Sequence, residues 1–150
     1  MKRFRFALRP VAVLRAHREL RAREAFAAAV HAYVQAEERL AATRARVADL
    51  EQMLFAGRTS RFLAADAAAL FRVYRNECQT ELEAERAVIE ARDALQGRRR
   101  DYIEANRQLK VVNRLEEKAR ALHQADNARR EQNELDEFAG FAAARRPALS

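Results

Sequence analysis

Only two prolines occur in this chain, Pro10 and Pro147, and they bracket nearly all of it. A proline inside a helix removes a backbone donor and clashes with the preceding turn, so the stretch between them is free of the strongest helix breaker. One break interrupts it, Gly57-Arg58-Thr59-Ser60. On either side the sequence is dominated by Ala, Arg, Glu, Leu and Gln, all strong helix formers. The expected fold is all-α: two long helices joined by one tight turn into an antiparallel coiled-coil hairpin, with the second helix overhanging. We expect a single domain over residues 1–150, with helix 1 at about 10–56, the turn at 57–60, helix 2 at about 61–139 and a frayed tail at 140–150. Pro10 suits a first helical turn, where its missing N–H is not needed. Gly57 is expected to supply a left-handed C-terminal residue, and Thr59 or Ser60 to cap the second helix.

Heptads support the hairpin. Phe26, Tyr33, Leu40, Val47 and Leu54 recur every seven residues, with Ala29, Ala36, Thr43 and Leu50 three places after the first four. In the second half the large set is Ala67, Tyr74, Glu81, Val88, Leu95, Tyr102 and Leu109, accompanied by Leu70, Glu77, Ala84, Ala91, Arg98, Ala105 and Val112. A turn between Arg58 and Thr59 sets residue i opposite about 117 − i. Leu54 then faces Leu63, Tyr33 faces Ala84, Phe26 faces Ala91 and Glu19 pairs with Arg98. Large side chains meet small ones, as close packing requires. Two acids spoil the seam, with Leu40 opposite Glu77 and Ala36 opposite Glu81. This is either a weak or functional section or a stutter in the repeat. Leu115, Leu122, Leu135 and Phe138 lie beyond the first helix and have no partner in this pairing. Gly97 marks a weak point or a slight bend.

Composition limits the chemistry. The chain is 49 % hydrophobic, but much of that is Ala and only 7 % is aromatic, which favours an extended coiled coil over a thick globular core. No Gly-rich phosphate loop is present, Ser60 and Ser150 are the only serines, and His17, His31 and His123 are isolated and expected on the surface. Cys78 sits beside the seam without a nearby His, which fits packing in a reducing compartment. The basic start has no apolar run after it that would make a signal peptide. A two-helix hairpin encloses no water-free site. We therefore expect no enzyme, no catalytic or metal-binding residues, no cofactor and no small-molecule substrate.

Surfaces remain. The formal charge is +7, which calls for acidic partners. Eight cations (Lys2, Arg3, Arg5, Arg9, Arg15, Arg18, Arg21 and Arg23) stand against Glu19 and Glu24 in the first 24 residues. Near the turn, Met53, Phe55, Phe62 and Phe71 fall off the seam. They either form a partner patch or clamp the loop onto its own helices.

The start, Phe4-x-Phe6-x-Leu8-x-Pro10-Val11-x-x-Leu14-x-x-x-x-Glu19, resembles the opening of the flagellar export FliJ family and of its virulence-secretion relatives, the YscO group. The segment Glu131-x-x-x-Leu135-Asp136-Glu137 is similar to that family's acidic C-terminal segment, and the resemblance covers essentially the whole chain. It implies a coiled coil like the stalk subunit of rotary ATPases, in the cytoplasm and peripherally associated with the inner-membrane export apparatus. It also implies that the end holding both termini enters a hexameric export ATPase. There the contacts would be Phe4, Phe6, Leu8, Arg15, Arg18, Leu115, Leu122, Leu135 and Phe138. The coil nearer the turn would contact the export-gate membrane protein through Leu40, Val47, Phe71, Tyr74 and Cys78. Escort of export chaperones belongs to the same implication. Two other readings stay open from the residues alone: a basic hairpin binding nucleic acid or RNA polymerase, and a coiled-coil holdase or adaptor.

Overall fold

The computed structural model describes residues 3–59 and 63–145. Two α-helices make up the fold, α1 over Arg9–Thr59 and α2 over Ala64–Ala144. They pack against each other as a helical hairpin, and no strand occurs among the described residues. Pro10 lies in the first turn of α1, where the missing donor is harmless.

Both helices run further than the glycines suggest. Gly57 is helical, and no described residue has a positive φ, so the left-handed cap expected there does not form. Gly140 is helical as well, and α2 continues to Ala144, where the Arg145 N–H still donates to the Phe141 carbonyl at 3.2 Å. A helical glycine costs only about 1 kcal/mol relative to Ala. Ala139 before Gly140 and the Ala142–Ala144 run after it favour continuing the helix. The reversal falls after Thr59 instead. The Leu63 carbonyl accepts the first bonds of α2, from the Asp66 and Ala67 N–H groups at 3.0 and 3.1 Å. Asp66 adds a negative charge at the positive end of the helix. Ser60 and the Thr59 side chain, the expected caps, lie outside the described residues, as does Phe62.

Moving the reversal changes the register. The residues fall into two compact units, Leu20–Glu104 and Met1–Glu19 with Ala105–Ser150. In the first, the partners Arg44–Glu81, Arg46–Glu77, Glu51–Tyr74 and Phe26–Tyr102 have numbers adding to about 123–128, not 117. The turn centre lies about three residues later than Gly57-Arg58-Thr59 suggests, and each residue of displacement moves the opposite partner by two. Tyr102, not Ala91, therefore meets Phe26, with ring centroids 5.9 Å apart and planes within 2°. Arg98 reaches Asp101 at 3.9 Å.

The same shift removes the misfit at Glu77 and Glu81. Glu77 accepts from Arg46 at 3.2 Å and Glu81 from Arg44 at 3.4 Å, while Arg44 also reaches Glu85 at 3.1 Å. The acids leave the seam edge towards arginines of α1, and the heptad positions on both sides stay turned inward, so the repeat does not stutter here. Every heptad position of α1 from Phe26 to Leu54 is buried or half-buried. Val47, Ala84 and Val88 form the core, and Thr43 is fully buried. Its hydroxyl donates to the Arg39 carbonyl at 2.9 Å and accepts from Arg46 at 3.2 Å. Ala67 and Arg98 are exposed, unlike the other α2 heptad positions in this unit.

α2 is continuous through Gly97, and a methyl group built there meets nothing within 4 Å. Gly97→Ala is therefore expected to stabilise the helix by about 0.5–1 kcal/mol. A thermal melt followed by circular dichroism should show a midpoint about 2–4 °C higher. A lowered midpoint would mean that the glycine serves a contact absent from this structure.

Candidate protein-interaction surfaces

Charge divides unevenly between the two units. Leu20–Glu104 carries 14 cations and 14 anions, whereas Met1–Glu19 with Ala105–Ser150 carries 15 and 8, so the whole formal +7 belongs to the unit bearing both chain ends.

In that unit Ala12 and Val112 are buried, at 7 % and 2 % exposure, and Glu19 is buried with them. Arg15 is half-buried and donates to the Gln108 carbonyl at 3.1 Å, while Arg18 is exposed. Before α1 begins, residues 3–6 are not helical. Phe4 and Phe6 are half-buried and Arg3 and Arg5 exposed, the period-two alternation of an extended segment with one face covered. Phe4 sits between the His123 ring, 5.5 Å away, and the Arg120 guanidinium, 5.2 Å from its centroid. Arg120 and Arg9 both reach the Glu116 carboxylate at 3.3 Å. His123 is thus half-buried under Phe4 and beside Asn127 at 3.2 Å, not a surface residue as the sequence suggests. His17 and His31 are exposed.

This extended segment shortens the overhang. The sequence leaves Leu115 and Leu122 without a partner, yet Val112, Glu116, Ala119, His123 and Asn127 around them are all buried or half-buried. Beyond Asn127 every described residue of α2 is exposed. Leu122, Leu135 and Phe138 stand at 68 %, 63 % and 74 % exposure, with Leu115 and Leu8 just over 40 %. Phe141, at 73 %, belongs to the same exposed run. A helix ending at Gly140 would leave it outside the helical run, but α2 continues to Ala144.

Near the turn, the five residues that the resemblance assigns to a gate contact separate into two kinds. Val47 is buried in the seam, with Leu40 and Cys78 half-buried. Phe71 and Tyr74 line an open groove with Glu51, Leu54, Phe55 and Leu70. Phe71 and Phe55 are 50 % and 70 % exposed, while the loop they would either clamp or leave free for a partner lies outside the described residues. A second groove holds Met53, Ala56, Leu70 and Val73. Arg75 stands 5.7 Å from the Phe71 ring centroid. Tyr74 donates to Glu51 at 3.0 Å. Hydrogen bonding to Cys78, then to Glu51, together with desolvation and the charges of both groups, pushes its phenol up to about 12 from 10.0. It therefore stays a neutral donor throughout the physiological range.

Among the described residues no group of three or more His, Cys, Asp or Glu side chains is placed to hold a metal, and no helix is long and apolar enough to cross a membrane. What the arrangement offers is contact area: a basic unit with projecting Leu and Phe, and apolar grooves beside a turn. Over residues 4–148 the chain matches the sequence model of a protein family described as Flagellar FliJ protein. Neither the curated proteins nor the solved structures give a match.

Proposed function

The chain belongs to the FliJ family of flagellar export-apparatus components, and from that premise we propose that it is a non-enzymatic coupling stalk acting between a hexameric export ATPase and the export gate. The observation that carries this reading is the confinement of the net charge to the unit with both termini, next to an unpartnered run of Leu and Phe on α2. An acidic ring lumen would attract that charge and cover those side chains. Positive charge steers the encounter, and each large apolar group buried contributes about 1.5–3 kcal/mol. Leu8, Arg18, Leu115, Leu122, Leu135 and Phe138 are the exposed contacts in this proposal. Phe4, Phe6 and Arg15 act from half-buried positions, fixing the N-terminal segment and the start of α1.

The unit without net charge is assigned to the membrane protein of the gate. Phe71 and Tyr74 present the groove, while Leu40, Val47 and Cys78 hold the seam behind it. The working location is the cytoplasmic face of the inner membrane, where export chaperones are further partners.

Purified export ATPase, mixed with this protein, is expected to retain one copy per ring and to hydrolyse ATP faster. Absence of both association and rate change would remove the proposal. Retention on DNA with a steep salt dependence, and no ring binding, would favour the nucleic-acid reading instead.

A further inference from the structure

We infer that the groove beside the turn docks the C-terminal face of α2 from a second copy of this chain, giving head-to-tail association. The two surfaces match in apolar content and in the order of their charges. On the acceptor side, Leu54, Phe55, Leu70 and Phe71 line the groove, Arg58 lies at its turn end and Glu51 one to two helical turns away. Of the described residues between 52 and 76, Arg58, Arg72 and Arg75 are cations, against Asp66 alone. On the donor side, Leu135, Phe138 and Phe141 are each more than 60 % exposed. At about 100° per residue they occupy an arc of about 120° on one face of the helix. Residues 131–144 hold four acids, Glu131, Glu134, Asp136 and Glu137, and no cation.

Order along the helix strengthens the match. Glu131 and Glu134 lie on the apolar face, two turns and one turn before Phe138, and Arg145 follows one turn after Phe141. The donor thus reads negative, apolar, positive. Read from Arg58 to Glu51, the acceptor is positive, apolar, negative. The apolar stretch from Leu135 to Phe141 spans about 9 Å and Arg58 to Glu51 about 10 Å at 1.5 Å per residue. A donor helix running antiparallel to α1 therefore lays its Phe and Leu in the groove, with Glu134 beyond it on the Arg58 side and Arg145, about 16 Å along the helix from Glu134, beyond it on the Glu51 side. Donor and acceptor are different patches, so the contact is heterologous and leaves a free donor and a free acceptor after each addition. It also covers surfaces that the proposed function gives to the ring and the gate, so self-association and export assembly compete.

The inference does not depend on that functional reading, because its test uses the purified chain alone. Sedimentation equilibrium of the wild type should give a weight-average mass that climbs above 17.2 kDa with concentration and falls back as salt is raised. Phe71→Glu removes the acceptor and Leu135→Glu with Phe138→Glu removes the donor. All three positions are at least half exposed, and circular dichroism should show both variants as helical as the wild type. Each alone is expected to stay at the mass of one chain. Mixed in equal amounts, they retain one intact donor and one intact acceptor, and should form a pair of twice that mass and nothing larger. A wild type monomeric at every concentration overturns the inference. So does a variant that still assembles alone, or a mixture that fails to pair.

Discussion

Val112→Asp is expected to unfold the packing of the unit that contains both termini. Val112 is 2 % exposed and Ala12, in the same unit, 7 % exposed. Arg15, the half-buried arginine nearby, already donates to the Gln108 carbonyl at 3.1 Å, and a buried charge without a committed partner is strongly destabilising. The expected loss is about 3–5 kcal/mol, a large part of the 5–15 kcal/mol that holds an ordinary domain folded. Val111→Asp is the control. Its neighbouring position is 48 % exposed, and the same chemistry there should cost no more than about 0.5 kcal/mol. Urea titrations of both variants provide the measurement. Equal midpoints would show that this seam does not hold the unit together.

The second large effect is functional. Leu122→Asp combined with Phe138→Asp should leave helical content unchanged, because the two side chains are 68 % and 74 % exposed. Ring association should weaken about a hundredfold or more, since two apolar anchors together contribute about 3–6 kcal/mol when covered. Titration against the export ATPase, read as hydrolysis rate, measures it. Loss of helicity in the variant would assign both residues to folding. Undiminished binding would move the ring contact elsewhere.

Much of the fold is legible from spacing. Each heptad position of α1 from Phe26 to Leu54 is turned inward, because a seven-residue apolar repeat on a helix selects one face irrespective of what covers it. Register was not legible for the same reason: sliding one helix by about a heptad leaves large and small positions interchangeable. Turn position had to supply it, and Gly57 misled because a lone glycine between helix formers is tolerated in a helix. The segment Phe4-x-Phe6 carried its own signal, an alternation of period two, that a search for period seven passes over. For the candidate surfaces, exposure followed from the absence of a partner at Leu122, Leu135 and Phe138. Near the turn, Leu40, Val47 and Cys78 face inward, since spacing on a two-helix seam marks what touches the other helix, not what touches a stranger.

The arginine–glutamate contacts at Arg44, Arg46, Glu77 and Glu81 are half solvated, and each is worth no more than about 1 kcal/mol as a source of stability. Their larger consequence is selection among alternatives. Two ladders of alanine and leucine can mesh at several offsets, like the teeth of a rack. At the offset adopted, the carboxylates find guanidinium partners, and at the one a heptad away they abut Leu40 and Ala36. Modest charges thus key a sliding joint that oily side chains alone would leave ambiguous.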